Sequence, residues 1–493
     1  MRPLKQRGCQ SASEGENGGV NRGLGASATG ADLPALRGHN AALVLDLLRL
    51  GADGGISRLE LADRTGLTPQ AVSKITARLR AEGLAAEAGH RASTGGKPRT
   101  VLRLVPSAGH AVGLHLDRDE LTVVLLDLAG TPVAVRVAPL DLGAGGAAVV
   151  EAAAREVEAL LPALAGAGEH DPGDVASGAG PREPDGSAGP GRAGSVPVRP
   201  APVRPTPART DPGRTVPGRE APARPSSARS APVRTVPATD ARAGPTPREA
   251  AGALRVLGIG VAMPGPLDHT SGVTRRVTGF PAWDGYPLRD AVAARLGLPA
   301  VLDKDTNAAA LALALAAGKG SPGPEQAQGD PRSEARTRDR GRGRGGGDSF
   351  AYLHLGSGLG AGLVLGGGLH RGPRTGAGEF GHQVVQLDGP ECVCGRRGCV
   401  EALCLAAVGR GDLATAARIL GVGAANLVAL LDIDRVLLGG RTVDAAGAVF
   451  VREVGARAGV PVALADGGPH LVAGGAAQLV LAPLFGRDVP PER

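Results

Sequence analysis

The sequence predicts an α/β protein: a small helical module closed by a β-ribbon, followed by a larger α/β domain broken by two insertions. Three observations carry this. Residues 35–105 alternate apolar helical periodicity with capped turns and end in a strand-like run. From residue 106 on, strand-period segments are followed by Ala-rich helical ones. Two long stretches, 166–250 and 318–348, are almost devoid of large apolar residues. The chain has 493 residues, length for roughly two to four domains, and much of its 79 Gly and 40 Pro falls in the biased stretches.

Composition narrows the function classes. A formal net charge of +7 suits a polyanionic partner, although many arginines lie in the low-complexity stretches. Aromatic residues make up only 2% of the chain, which argues against base stacking on a single strand. The first residues, MRPLKQRGCQSASEGENGG, lack the apolar core of a signal peptide. No run of about 18 apolar residues appears, so neither a membrane span nor a membrane partner is expected. Of five cysteines, three crowd into Cys392–Cys399, which points to a metal site in a reducing cytoplasm rather than to disulfides.

Residues 1–34 are Gly/Ser/Asn-rich and read as a disordered tail. In LRGHNAALVLDLLRL, Leu43, Leu47 and Leu50 with Val44 and Leu48 form a helical face. Ser57 is a good N-cap, and Glu60 three residues on completes a capping box. Gly66 suits the positive φ of a helix end. Thr68 caps the next helix, with Pro69 in its first turn. Helix, Gly-containing turn and helix make a helix-turn-helix. In the second helix Val72, Ile75 and Leu79 fall at core spacing, so Gln70, Ser73, Lys74 and Arg78 face outward. Gln can pair with adenine and Lys with guanine or phosphate, while Arg78 better reaches the backbone. Residues 84–104 read as a wing whose tip, HRASTGGKPRT, carries Lys97 and Arg99. Thr68, Gln70, Ser73, Lys74, Arg78, Lys97 and Arg99 are the expected contacts to a double-stranded DNA operator.

Residues 106–165 read strand, strand, strand, helix. The Pro/Arg/Ala-rich 166–250 and Gly/Arg-rich 318–348 cannot bury enough surface to offset their ordering entropy, and read as disordered insertions. Folded pattern resumes over 251–317 and again over 349–493.

In the last part, His382, Cys392, Cys394 and Cys399 form H-x9-C-x-C-x4-C, thiolate and imidazole ligands suited to a closed, four-coordinate Zn²⁺. Gly395 and Gly398 let the chain wrap around an ion. Cys404 is close enough in sequence to replace His382. Either set leaves no open position, so the zinc is expected to be structural, steadying the loop of Glu379 and Glu401.

GAGEFGH (376–382) followed by CVCGRRGCVE (392–401), with LRGHN, SRLELADRTGLT and TGGKPR upstream, resembles the ROK family (repressors, open reading frames and sugar kinases) in its repressor-like branch. The resemblance covers most of 35–165, 251–317 and 349–485. It implies a two-lobed, actin-like α/β fold with a sugar in the cleft. By resemblance Asp305 of VLDKDTNAAA matches the kinase base, and Gly265, Thr278, Asp305, Glu379, His382 and Glu401 the sugar shell. Gly356, Gly358 and Gly360 of LGSGLGAG match the second phosphate loop, and Gly439 and Gly440 the adenosine-side turn, here expected to be vestigial.

Two departures argue against ATP and kinase activity. Where the family has Asp and a Gly-Gly-Thr turn, this chain reads His115-Leu116-Asp117-Arg118-Asp119-Glu120, so glycines for close phosphate approach are gone and acids crowd the spot. Arg118 offsets part of that charge. Beside Asp305, Lys304 replaces the family's Asn and is expected to pair with Asp305. The stretch between Cys404 and Gly411 is also short against the family. The expectation is a cytoplasmic, dimeric transcription regulator, a repressor of carbohydrate genes whose effector is a sugar or sugar phosphate. The alternatives are an ATP-dependent sugar kinase with an accessory DNA-binding domain, and a regulator that has lost its ligand.

Overall fold

The computed structural model describes residues 38–51, 54–91, 99–277 without 166–253, 279–317 and 349–487. The tail 1–34, the insertions 166–250 and 318–348, Lys97 and Thr278 lie outside the described residues.

The N-terminal module runs α1 (His39–Leu50), β1 (Ile56–Ser57), α2 (Arg58–Thr65), α3 (Pro69–Ala81), β2 (Ala85–Arg91) and β3 (Arg99–Leu104). The capping box forms: Glu60 N–H donates to Ser57 Oγ at 3.3 Å and Ser57 N–H to Glu60 Oε2 at 2.8 Å. Gly66 ends α2 at φ 69°, and Thr68 Oγ1 accepts from Ala71 N–H at the start of α3. The three strands pair antiparallel in the order β1-β3-β2, giving the wing. The core face of α1 is shifted from the expected one. Val44, Leu45 and Leu48 are buried, whereas Leu43, Leu47 and Leu50 are half-buried, because the helix packs on the wing and on the chain's C-terminal end at once.

The larger domain begins with β4 (His110–Leu116), β5 (Glu120–Asp127), β6 (Pro132–Pro139) and α4 (Gly146–Ala165). It continues with β7 (Val256–Met263), β8 (Leu267–Asp268), β9 (Val273–Thr274), α5 (Leu288–Leu296), β10 (Ala300–Lys304) and α6 (Asp305–Ala317). The second lobe holds β11 (Phe350–Leu355), β12 (Leu359–Leu365), β13 (Gly368–Leu369), α7 (Val400–Gly409), α8 (Leu413–Leu431), β14 (Arg435–Gly439), α9 (Arg441–Asp444), α10 (Gly447–Ala458) and β15 (Val462–Leu464), and α11 (Leu471–Leu481) closes the chain.

The two large sheets share one topology. The first is ordered β6-β5-β4-β7-β10 and the second β13-β12-β11-β14-β15. In each, three antiparallel strands are followed by two parallel ones. This repeat is the two-lobed architecture. Strand alternation sorts the cores. Val112, Leu114, Ile259 and Val261 face α4 and α5, while Gly113, Gly260 and Ala262 face inward. In the second sheet Ala351, Leu353, Val436 and Leu438 face α7, α8 and α10, and Phe350 and Tyr352 face inward. Helices α6 and α11 fill the middle layer, packed on each other and on the first sheet, with α6 also against the second.

That layer is tight. A Cβ on Gly113 would lie 1.9 Å from Ala473 O, one on Gly260 1.7 Å from Ala476 O, and one on Gly475 2.0 Å from Ala308 O. The far side of α11 meets the winged module, where Ala473, Ala477, Leu481 and Phe485 share a core with Leu45, Leu48 and Leu104. Asp46 ties α1 to the C-terminal end by accepting from both Arg49 and Arg487 at 2.7 Å.

Among the described residues one helix, Leu413–Leu431, is long and apolar enough by composition to cross a membrane. In this fold it buries Ala416, Ala417, Leu420 and Ala424 against α7 and α10, and it carries Arg418. The chain between Cys404 and Gly411 closes α7 and turns directly into α8.

Gly260→Ala should destabilise the protein by about 3 kcal/mol or more, since the added methyl collides with helix backbone and not with a side chain that can swing away. Urea unfolding of the two proteins measures it.

Candidate functional site

The helix-turn-helix presents α3 to solvent. Gln70, Ser73, Lys74 and Arg78 are exposed, while Val72 and Leu79 are buried. Thr76 joins the buried side, its hydroxyl donating to Val72 O at 2.8 Å and accepting from Arg58 at 3.3 Å. Arg78 is engaged by Glu82 at 3.2 Å, an exposed pair that water screens. Thr68 stands exposed at the helix start, and Arg99 is exposed at the first position of β3.

The cleft between the lobes gathers Gly265, Asp305, Glu379, His382 and Glu401, together with Gly358 and Gly360. Asp305 opens α6, and its Oδ1 accepts from Thr306 N–H at 2.6 Å. Glu401 is buried and accepts from Leu359 N–H at 2.9 Å, tying α7 to the β11–β12 turn. Gly360 and Gly362 sit against Thr306, and Gly440, at φ 98°, against Leu355, so glycines of both nucleotide-side loops serve close packing. Gly356 lies in the β11–β12 turn, and Gly439 ends β14 beside Tyr352.

Lys304 does not pair with Asp305 as the sequence led us to expect. Its buried ammonium donates to Ala377 O and, at 3.2 Å, to Glu379 Oε1. The reason is direction: Lys304 ends β10 with its side chain running past Gly265 toward the 377–379 loop. The pair occupies part of the cleft and leaves a volume of about 90 Å³.

The crowded acids are also relieved differently. Arg118 turns over the Phe280 ring, 5.4 Å from its centroid. Arg441, from the second lobe, meets Asp119 through two nitrogens at 2.9 and 3.1 Å and Asp117 at 3.0 Å. Its hydrogen bond holds the Asp119 carboxyl below the usual carboxylate range. Nearby, burial pushes the His115 imidazole below its ordinary value, against the pull of Asp305 and Asp117 toward the charged form. Sequence reasoning missed Arg441. The signal was available: an arginine at the first residue after Gly439-Gly440, at a helix start facing the first lobe.

His382, Cys392, Cys394 and Cys399 converge, with ligand atoms all within 4.8 Å of one another. Cys404 stands apart, its thiol donating to Ala416 O at 3.4 Å in the second-lobe core. Cys394 Sγ lies 3.7 Å from Cys399 Sγ and Cys392 Sγ 3.6 Å from His382 Nδ1. A tetrahedron with metal–sulfur bonds of about 2.3 Å has edges of roughly 3.8 Å, so the four residues fit a metal ion as they stand. Gly395 and Gly398 adopt φ 84° and 68°, as wrapping requires, and a Cβ on Gly398 would strike Gln386 O. Burial raises the Cys392 thiol and pushes Cys399 up to about 12. Burial opposes the Cys394 thiolate too, but hydrogen bonds from the Arg396 backbone and the two neighbouring thiols outweigh it and lower its pKa.

The ROK family model matches residues 247–321 and 329–411, and a winged helix-turn-helix DNA-binding model matches 47–85. The chain carries a ROK family domain behind a winged helix-turn-helix. It is 36% identical over 146 residues to the glucokinase of Thermotoga maritima, an alignment covering 29% of this chain and 38% of that protein. It is 37% identical over 87 residues, 18% of this chain and 21% of that protein, to the DNA-binding transcriptional dual regulator NagC of Escherichia coli. The chain thus spans well under half the length of these curated relatives. A crystal structure of a ROK family transcriptional regulator, a homologue of the Escherichia coli MLC protein, shares the fold at TM-score 0.56 and 17% identity, covering 90% of this chain and 96% of that one.

Two predictions follow from the ion pairs and the thiols. The Arg441–Asp119 contact depresses a carboxyl pKa in the folded state, so its stabilisation is complete above the unfolded pKa and is lost as pH falls through the folded one. The stability gap between wild type and Arg441→Ala, read by urea unfolding, should therefore shrink between neutral and strongly acidic pH. Cys394→Ser should weaken metal retention at least tenfold, measured by elemental analysis after dialysis against a chelator, and lower the Tm.

Proposed function

We propose that the protein is a sugar-responsive, DNA-binding transcriptional regulator, a repressor of carbohydrate-related genes, acting in the cytoplasm as a homodimer. The observation that carries this reading is the exposed polar face of α3 on an intact, capped helix-turn-helix. Gln70, Ser73 and Lys74 would read base edges and phosphate in a major groove, Thr68 and Arg78 the backbone, with Arg99 and Lys97 on the wing. A two-fold dimer would place two such helices on the half-sites of an operator.

The cleft supports effector binding over phosphoryl transfer. Arg441 ties up Asp117 and Asp119 where a kinase would bring phosphate, so ATP has no cradle there. Gly265, Asp305, Glu379, His382 and Glu401, with Thr278, would surround a sugar with hydroxyl partners. The sugar must first displace the Lys304–Glu379 pair, which couples binding to movement of the 377–379 loop. For this coupling to shift operator affinity, the two states need differ by about 1–3 kcal/mol in sugar binding.

We assign Zn²⁺ to the His382/Cys392/Cys394/Cys399 cluster, in a structural role: a closed set of four ligands leaves no position for a reacting water. The ion would hold the 380–399 loop, and with it Glu379 and Glu401. The domain boundaries we propose are 35–105 for the winged module and 106–165, 251–317 and 349–493 for the ROK domain. The second reading is a sugar kinase with an accessory DNA-binding domain, which the placement of Asp305 at the cleft favours.

Genomic capture of bound DNA, then gel shifts at fixed salt with a sugar panel, tests the proposal. A specific, roughly palindromic site that responds to one sugar is the expected result. No specific site, with sugar-dependent ATP consumption, would replace it with the kinase. Lys74→Ala and Gln70→Ala should each cost about 1–3 kcal/mol of operator binding with Tm unchanged. Unaltered affinity in both would displace α3 as the reading helix.

A further inference from the structure

A second cavity, of about 250 Å³, lies where the winged module meets the α/β domain, away from the sugar cleft. That is the volume of roughly eight liquid waters. Its walls are apolar: Val124 and Leu126 from β5, Val135 from β6, and Leu315 from the C-terminal end of α6. On α11, Leu471, Gly474 and Gln478 recur at helical spacing and line one side. Arg49, from α1 of the winged module, covers it.

Three polar groups in this apolar setting keep unused hydrogen-bonding capacity. Gln478 is only 8% exposed, lines the cavity, and makes no side-chain hydrogen bond among the described residues. Its amide atoms are not sealed off from solvent, so an occupant can bond them in place of water. Arg49 is buried to 2% side-chain exposure and lies over the Phe485 ring, 4.8 Å from its centroid; among the described residues its Nε and Nη2 donate, both to Asp46 Oδ1, and Nη1 to none. A guanidinium has five N–H donors in a fork matched to carboxylates. Asp46 serves Arg49 and Arg487 together, so the buried Arg49 shares its carboxylate with a half-exposed second cation. Asp466 also lines the cavity, but it is exposed and screened by water. Beside it, His470 Nδ1 is buried without a partner. Finally, a Cβ built on Gly474 meets nothing within 4 Å, so this turn of α11 leaves room instead of filling it.

We propose that this cavity is a second ligand site, for a small monocarboxylate with an apolar body. The carboxylate meets the free N–H groups of Arg49, the amide of Gln478 takes a polar substituent or the second carboxylate oxygen, and the apolar body lies on Val124, Leu126 and Leu315. The occupant touches the DNA-binding module directly through α1. It also touches the far end of the helix that starts with Asp305 in the sugar cleft, about 20 Å away along 13 residues of α6. The site does not depend on the regulator reading, because its test reads binding alone.

The experiment is calorimetric titration of the full chain with benzoate and with hexanoate, using benzamide as the neutral isostere of benzoate. Saturable binding of at least one acid is expected, with benzamide at least tenfold weaker than benzoate if benzoate is the acid that binds. Gly474→Leu fills the cavity from a helical position with open space, so it should abolish binding while Tm stays equal or rises. Gln478→Leu keeps the apolar volume and should weaken binding severalfold. No saturable binding of either acid overturns the proposal, as does undiminished binding by Gly474→Leu. If that variant does not fold, undiminished binding by Gln478→Leu overturns it in its place.

Discussion

Everything in this protein hangs on the backbone-to-backbone approach of α11 to the first sheet and to α6. Gly113, Gly260 and Gly475 bring main chain within a distance no side chain would allow. One helix can then serve as the inner layer for a β-sheet on one side and as the seat of the winged module on the other. The dispersion energy of so close a contact is large in sum and forfeited quickly with a small gap. A sheet, a central helix and a DNA-binding module are thereby made parts of one body. The Asp46 cluster with Arg49, Arg487 and the Phe485 ring completes the same joint at the surface.

The lobes are built alike, and the difference between them is where the chemistry sits. Each contributes a meander and two parallel strands. The second lobe adds the Cys/His loop between β13 and α7, and Glu379 and Glu401, on either side of it, both reach the cleft. The first lobe supplies Asp305 at a helix start and Lys304 just before it. The cleft is therefore crossed by ion pairs of the protein's own making, Lys304 with Glu379 and Arg441 with Asp117 and Asp119.

Much of the architecture was legible in the sequence because it is written in local rules. Ser57 with Glu60, Gly66, and Thr68 with Pro69 fix three helix boundaries by capping alone. The spacing of His382, Cys392, Cys394 and Cys399 pointed to side chains whose ligand atoms the fold brings together, while Cys404 lies apart in the second-lobe core. What was not legible was long-range direction. Nothing local says that Lys304 runs toward Glu379 and not Asp305, or that Arg441, 322 residues from Asp119, is its partner. The buried face of α1 was displaced for the same reason, since Phe485 and Arg487 arrive from the other end of the chain. The apolar helix Leu413–Leu431 likewise owes its character to packing on two neighbours, a fact that composition does not reveal.

The Arg441 bridge has a consequence for what the molecule can ignore. Cells hold adenine nucleotides far in excess of most signalling metabolites, and any cleft that keeps a phosphate cradle is filled by them. In the regulator proposed here, Arg441 serves as an internal counter-ion to Asp117 and Asp119 where a kinase would bring phosphate. On the reading proposed above, occupancy of the cleft is then set by the sugar alone, and the regulator is insulated from the energy state of the cell.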